Sequence, residues 1–360
     1  MSESVKLQFS FIKRTLQFRF DAGTSRGVLK TRDVYWIKVQ DPKNPEVIGW
    51  GEAAPLVKLS PDYREDFEEI LAQSLAKLSQ ESWEMEENSL LEKVKSLVSF
   101  DLPSLRFGVE MALLDYFNGG KKRFFSNPFF DKNQPIPING LIWMGDRSFM
   151  LEQIDQKLNE GFDCIKMKIG AIDFEQELEL LGYIRERYSK KQIVLRVDAN
   201  GAFSPENVME KLSRLAQLDI HSIEQPIPAG DWKAMHELCK KTPLPIALDE
   251  ELIGVQKKSE LLDTIQPQHI ILKPTLLGGF LETKEWIRLA EERNIGWWMT
   301  SALESNIGLN AISQLASSFN TQIPQGLGTG KLYHNNLDSP LEIKSGKIHY
   351  NAAKPWENPA

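Results

Sequence analysis

Residues 164–169 read Cys164-Ile165-Lys166-Met167-Lys168-Ile169, and residues 194–200 read Val194-Leu195-Arg196-Val197-Asp198-Ala199-Asn200. In both runs apolar and ionisable side chains alternate strictly, the period of a β-strand whose two faces meet different surroundings. Lys166 and Lys168 share one face, as do Arg196, Asp198 and Asn200. Three later runs each carry one charge in the same phase: Ile223-Glu224-Gln225, Ala247-Leu248-Asp249 and Ile271-Leu272-Lys273-Pro274. From Lys168 to Asp198 is 30 residues, to Glu224 a further 26, to Asp249 a further 25 and to Lys273 a further 24. One strand-plus-helix unit takes about that length. In a closed barrel one strand face packs on the helices and must be apolar, while the other points inward. The spacing therefore predicts Lys, Asp, Glu, Asp and Lys at one height on five successive strands. They should lie near the carboxyl ends, where barrel active sites sit.

Working outward, the same rhythm begins near residue 136. Short apolar runs fall at 136–141, 164–169, 194–199, 221–225, 245–249, 269–274 and 296–301, with a weak eighth at 325–329. Helical patterns lie between them at 148–160, 173–188, 204–218, 281–293 and 306–319. This order argues for a parallel (β/α) barrel rather than an open sheet. The first third differs. Residues 5–20 and 29–40 alternate as half-buried strands around a polar turn at Asp21–Gly27, and Val47–Glu52 reads as a third strand. Ser60-Pro61-Asp62 has the cap-then-proline form of a helix start, and residues 104–117 read as a buried helix. Residues 119–137 read as a linker. The expected division is an α+β unit over 1–125, a barrel over 126–330, and a tail over 331–360 whose strand at Ile343–Tyr350 returns to the first unit.

The chain has 360 residues, 41% of them apolar and 26% charged, the balance of an ordinary globular protein. Its 43 Lys+Arg against 50 Asp+Glu leave a net charge of −7, which argues against general nucleic-acid binding. Two cysteines cannot build a disulfide framework or a four-thiolate zinc site. No run approaches the ~20 apolar residues of a membrane span, and no signal peptide is visible at the start. A cytoplasmic protein is the expectation; the oligomeric state is not fixed by the sequence.

Three carboxylates converging in a barrel interior need a counter-charge. Oxygen donors without His or Cys suit a hard divalent cation, Mg²⁺ foremost, with Mn²⁺ as a substitute. Lys168 and Lys273 would then face each other across a metal-bound carboxylate substrate. A partly desolvated lysine beside such a cation has a lowered pKa and can act as a base. The chemistry that uses this layout is proton abstraction next to a carboxylate. Taken singly, each motif has a plainer reading: a solvated Lys-x-Lys face, an Asp-Ala-Asn-Gly turn, a charged helix start, or a Schiff-base lysine before Pro274. The joint spacing favours the catalytic one.

These residues resemble the enolase superfamily, in its muconate-lactonising subgroup, over essentially the whole chain. Lys166-Met-Lys168, Arg196-Val-Asp-Ala-Asn200, Ile223-Glu-Gln-Pro226, Leu248-Asp-Glu250 and Leu272-Lys-Pro-Thr275 are similar to that subgroup's motifs in their order. Gly49-Trp-Gly-Glu-Ala-Ala-Pro55 and Phe107–Asp115 resemble its capping-domain signatures. The resemblance implies an α/β fold, a modified (β/α)₇β TIM-like barrel under an N-terminal α+β cap. It also implies Asp198, Glu224 and Asp249 as Mg²⁺ ligands, flanked by Lys168 and Lys273. Within the subgroup, Thr300-Ser-Ala-Leu-Glu-Ser-Asn306 and Gln325-Gly-Leu-Gly-Thr-Gly330 are similar to segments of the o-succinylbenzoate synthases of menaquinone biosynthesis, although many of these carry Asp where Gly328 stands. That family eliminates water from 2-succinyl-6-hydroxy-2,4-cyclohexadiene-1-carboxylate. Membership would make Lys168 the base, Lys273 the electrostatic partner and Lys166 a neighbouring cation. Thr300, Ser301 and Gly326 would line the succinyl end, Arg196 and Asn200 would support the ligands, and Asp21–Gly27 with Ala53–Leu56 would close over the substrate. The rival activities are N-acylamino-acid racemase, dipeptide epimerase and muconate cycloisomerase; a binding-only descendant would have lost part of the charged set.

Overall fold

The computed structural model describes residues 4–24, 27–319 and 321–359. The first third contains strands β1 (Ser4–Lys6), β2 (Gln8–Thr24), β3 (Gly27–Asp41) and β4 (Asn44–Ala53), helix α1 (Phe67–Leu78), strand β5 (Ser82–Glu84), and helices α2 (Glu87–Leu97) and α3 (Pro103–Phe117); the stretch read as a linker then holds a one-turn helix α4 (Pro128–Asp131), capped by Asn127. Strands β2, β3 and β4 form an antiparallel sheet in chain order, and β1 pairs with β5. Helix α3 packs directly on β4. A side chain at Gly49 or Gly51 would collide with the α3 backbone at Ala112 or Gly108. The Gly49-Trp50-Gly51 pattern is thus explained by close helix-on-strand contact.

Two local expectations fail. The polar turn read at Asp21–Gly27 is mostly strand: β2 runs through Thr24, β3 starts at Gly27, and Ser25 and Arg26 lie outside the described residues. No helix starts at Pro61. Buried Asp62 instead accepts hydrogen bonds from the Ser104 N–H (2.8 Å) and hydroxyl (2.6 Å). Its carboxylate satisfies the free amino end of α3, and α1 begins only at Phe67.

The barrel alternates β7 (Gly140–Ile142), α5 (Arg147–Asn159), β8 (Cys164–Lys168), α6 (Phe174–Arg185), β9 (Val194–Asp198), α7 (Val208–Ala216), β10 (Ser222–Glu224), α8 (Trp232–Lys241), β11 (Ile246–Leu248), α9 (Lys258–Ile265), β12 (His269–Leu272), α10 (Pro274–Leu277), α11 (Phe280–Glu291), β13 (Gly296–Met299) and α12 (Asn306–Ser317). Seven parallel strands pair in the order β13 to β7. The weak eighth run closes the barrel through isolated parallel bridges, Thr300 with Gly326 and Ile138 with Gln325. The fold is a TIM-like barrel under an N-terminal α+β cap.

The run read at 136–141 divides. Ile136–Pro137 (β6) leaves the barrel and pairs with the tail, where Leu341–Lys344 (β14) and Lys347–Tyr350 (β15) form a hairpin. The strand at Ile343–Tyr350 therefore joins β6 rather than the cap sheet. An earlier part of the tail reaches the cap: Tyr333 bridges Phe18, the Arg19 N–H donates to the Leu332 carbonyl, and the His334 N–H donates to the Gln17 carbonyl.

The cap grips the barrel at two places. A hydrophobic cluster of Leu16, Trp36, Trp50, Leu56, Trp143, Leu303 and Tyr333 lies under the β2–β3 hairpin. At the other, Phe107 of α3 packs edge-on against Phe280 (5.0 Å), and Glu110 accepts from the Phe280 N–H at the start of α11. Glu110 is fully buried, and that burial pushes its carboxyl up to about 8 from 4.5, against the Phe280 hydrogen bond. The folded protein keeps this proton where the unfolded chain has lost it. The stability Glu110 contributes is therefore complete below pH 4.5 and lost as pH rises to about 8. Glu110→Gln imitates the neutral form. Urea unfolding at pH 5 and pH 8 should show the variant gaining on the wild type at the higher pH, by on the order of 4 kcal/mol.

Candidate active site

Strand register decides which charges meet. Lys168 on β8 lies opposite Asp198 on β9, and Asp198 lies opposite Glu224 on β10. Asp249 and Lys273 each stand one residue beyond their strands, β11 and β12. All five are buried at the carboxyl end of the barrel. Lys168 Nζ donates to Asp198 Oδ2 (3.0 Å) and Asn200 Oδ1 (2.8 Å). Lys166 Nζ bridges Asp198 Oδ2 (2.9 Å) and Glu224 Oε2 (2.5 Å). From the far side of the barrel, Lys273 Nζ contacts Asp249 and lies 3.7 Å from Glu224 Oε1. Two lysines four strands apart thus converge on one acidic group.

The local electrostatics differ from acid to acid. Burial raises the Asp198 carboxyl, but Lys166, Lys168 and Lys273 outweigh it and hold it well below the ordinary carboxylate range. At Asp249 burial wins over Lys273, and the carboxyl sits well above that range. Burial alone would lower Lys166 and Lys273, yet the surrounding carboxylates raise both. A lysine here can act as a base only where that negative charge is otherwise met.

Among the described residues, no three His, Cys, Asp or Glu side chains are drawn into one coordination shell; ammonium groups sit between the carboxylates instead. The donor set nevertheless fits a hard divalent cation. It offers carboxylate oxygens from three adjacent strands, and Glu224 Oε1 is buried without a hydrogen-bond partner. Charge counting agrees. With all three acids ionised, as metal ligands must be, three ammoniums only balance them, so an anionic substrate would enter a site with no spare positive charge unless a cation is added.

Several supporting residues were not singled out from the sequence. Gln225 accepts at Oε1 from the Asp249 N–H (3.2 Å) and the Glu251 N–H (3.3 Å), and its amide donates to the Ile227 carbonyl (3.0 Å) and to Glu251 Oε2 (3.1 Å). It fixes the loop that presents Asp249. Gln225 and Asn200 both hold left-handed backbone (φ 40° and 44°), a conformation unusual for residues other than glycine. Asn200 lies between Lys168 (2.8 Å) and Glu250 (3.1 Å).

Among the described residues, Arg196 hydrogen-bonds none of the three acids. Its guanidinium stacks over Trp298 at 3.9 Å and donates to the Pro324 carbonyl (2.8 Å), beside the stacked imidazoles of His221 and His269. Arg196 lies two residues below Asp198, roughly 6–7 Å deeper along the strand, and belongs to the barrel floor.

A cavity of about 530 Å³ opens over the site. Lys166, Lys168, Asp198, Asn200 and Lys273 form its base, and Thr300, Ser301 and Gly326 line one wall. A side chain at Gly326 would strike Thr300. Ser301 Oγ is held by Glu304 Oε2 (2.5 Å) and receives the Thr329 hydroxyl (2.9 Å). The roof comes from the cap, with Phe20, Leu29 and Leu56. Cap and wall are tied together: Arg32 donates to the carbonyls of Ala54 and Ala302, while Glu52 receives the Ser305 N–H (2.8 Å) and Gly308 N–H (2.9 Å) at the start of α12.

Residues 150–355 match the family described as Enolase C-terminal domain-like. The chain is 46% identical to the o-succinylbenzoate synthase of Desulfotalea psychrophila, over 95% of this chain and 98% of that protein. The crystal structure of MenC from the same organism superposes with a TM-score of 0.85 at 42% identity, covering 96% and 99% of the two chains. An N-succinylamino acid racemase from Amycolatopsis is 25% identical, over 90% of this chain and 87% of its own length. With two facing lysines, three strand-end acids and a cap closed over them, the chain belongs to the enolase superfamily and is similar over nearly its whole length to o-succinylbenzoate synthase.

Proposed function

We propose that this enzyme eliminates water from 2-succinyl-6-hydroxy-2,4-cyclohexadiene-1-carboxylate to give o-succinylbenzoate, the menaquinone-pathway reaction of that synthase. The observation that carries the reading is the convergence of Lys168 and Lys273, from opposite sides of the barrel, on one group of carboxylates. Asp198, Glu224 and Asp249 would hold Mg²⁺, or Mn²⁺ in its place, which when bound supplies positive charge to stabilise a deprotonated carboxylate substrate. The proton alpha to that carboxylate passes to Lys168 Nζ. The electron pair left behind forms the new ring double bond as the C–O bond breaks. The same lysine returns the proton to the departing hydroxide, so the net loss is one water. Lys273 stays protonated and stabilises charge from the other face. Lys166 contributes a fixed cation to the base of the site. Thr300, Ser301 and Gly326 bound the space for the succinyl arm. The buried Ala53–Leu56 segment and Phe20 keep water out. No helix of the described residues is long and apolar enough to cross a membrane, in keeping with a cytoplasmic enzyme.

The test is a spectroscopic assay of o-succinylbenzoate formation with purified enzyme; no product above the uncatalysed rate ends the proposal. Because one lysine sits on each side, alpha-proton exchange is a second chemistry for the site. Incubating N-succinyl amino acids in deuterated buffer tests it: deuterium entering the alpha position, with racemisation, assigns a racemase activity.

A further inference from the structure

Leu303 holds left-handed backbone at φ 68°, a conformation that a bulky side chain disfavours. Its surroundings keep it there. The Leu303 N–H donates to Ser301 Oγ (3.0 Å), its carbonyl receives the Tyr333 hydroxyl (2.6 Å), and the Ala302 carbonyl receives Arg32 of β3. The strained turn is followed at once by Glu304, a carboxyl group only 1% exposed. Gly308 makes room for it: a side chain there would strike Glu304 Cβ at 2.6 Å and meet Glu52 Oε2 at 3.2 Å. Glu304 Oε2 receives the Ser301 hydroxyl (2.5 Å), and Oε1 receives the Ala302 N–H (3.1 Å), both from its own loop. Ser301 is then fully used, with one donor to Glu304 and two acceptor places filled by the Leu303 N–H and the Thr329 hydroxyl (2.9 Å).

The same Oε1 also receives the Thr275 hydroxyl, 29 residues away in the chain. Thr275 stands two residues beyond Lys273, in the single turn of α10. Lys273 opens that turn: its carbonyl accepts from the Leu276 N–H (2.8 Å) and the Leu277 N–H (3.0 Å). One helical turn does not hold itself in place. Of its residues, Pro274, Thr275, Leu276 and Leu277, Thr275 alone has a polar side chain, and it is wholly buried. Its bond to Glu304 ties the turn to the neighbouring strand end.

We infer that Glu304 is a positioning residue for Lys273, acting through the Thr275 hydroxyl. The inference rests on the proposed function, in which Lys273 stabilises charge from the second face of the substrate. Anchoring the turn at Thr275 fixes where the Lys273 side chain starts, and so where its ammonium meets Asp249 and stands 3.7 Å from Glu224. Without the anchor the turn shifts and takes the lysine with it. The cap shares the frame, because Glu52 receives the Ser305 and Gly308 N–H groups just beyond Glu304. One loop thus seats the cap and places Lys273.

Substitutions at 275 in the full-length protein test this. Thr275→Val removes the hydroxyl and keeps the shape. Glu304 retains the Ser301 hydroxyl and the Ala302 N–H, so no buried acid is left without a donor. Formation of o-succinylbenzoate by this variant should fall about tenfold or more in kcat with KM within about twofold, because Lys273 acts on charge that develops in the transition state. Thr275→Ser keeps the hydroxyl and should hold kcat within about threefold of the wild type. Thermal melting of both should stay within a few degrees of the wild type; should valine disturb the packing, Thr275→Ala is measured in its place. Crystal structures read the placement without reference to rate: Lys273 Nζ should move by about 1 Å or more when the hydroxyl is removed. An unmoved lysine, a hydroxyl-free variant with wild-type kcat, or a serine variant as impaired as the valine one overturns the positioning role. Wild-type protein that forms no o-succinylbenzoate overturns the functional reading instead, and the place of Lys273 in the crystals still decides the role of Glu304.

Discussion

Replacing Lys168 with alanine will reduce turnover by about 10⁴-fold or more while the protein stays folded. The lysine reaches Asp198 and Asn200 directly, and its amine is the group assigned to remove the proton. The fold survives because Asp198 keeps a second partner: Lys166 remains 2.9 Å from the same oxygen, so no buried carboxylate is stranded. Thermal melting of the variant should stay within a few degrees of the wild type. Lys168→Arg sharpens the result. Arginine preserves the positive charge but does not give up its proton at accessible pH. If Lys168 served only as a counter-charge, arginine would rescue a large part of the rate. As a base it cannot be replaced this way, and both variants should be equally inactive. Substantial turnover by either one removes Lys168 from the role.

The charged ladder was legible because two independent periods coincide in it. Alternation within each strand sets which face a side chain takes, and the near-constant interval between strands sets that they line up. Register in the folded chain follows directly, Lys168 to Asp198 to Glu224. Alternation does not report partners. Arg196 and Asp198 share a face and their separation puts Arg196 a layer lower, but the sequence cannot say that Trp298 and the two imidazoles take it up there. Lys166 stands opposite Arg196 at that lower level, yet its long stem lifts the ammonium to the carboxylates. Ser60-Pro61-Asp62 misled for a similar reason. Its local chemistry does describe a helix cap, but the capped helix is α3, more than forty residues away. Partners so distant in the chain are fixed by tertiary packing, and local pattern carries no trace of them. Gln225 was in view within its motif; its left-handed backbone and four hydrogen bonds appear only in three dimensions.

Removing divalent metal will abolish activity, and Asp249→Asn will raise the Mg²⁺ concentration needed to restore it by at least about 100-fold. Asp198, Glu224 and Asp249 are each almost wholly buried, and the positive charge within reach is the ammoniums of Lys166, Lys168 and Lys273. Once Asp249 gives up the proton that its burial favours, as a metal ligand must, the set is balanced before any substrate arrives. A substrate with two carboxylates adds two negative charges, and burying them unpaired is costly. One divalent cation restores the balance and leaves the ammoniums able to face the substrate. Asparagine at 249 keeps the shape of aspartate, so the Gln225 hydrogen bond to its backbone should survive and the loop should hold its place. Turnover after EDTA treatment, with Mg²⁺ or Mn²⁺ added back, measures the requirement. Thermal melting with rising Mg²⁺ measures binding without reference to catalysis, since a ligand that binds only the folded state raises its stability with concentration. The wild type should melt higher as Mg²⁺ increases, and Asp249→Asn should need far more to show the same rise. An identical Mg²⁺ response in both proteins would remove Asp249 from the ligand set. Full activity in EDTA would remove the metal itself.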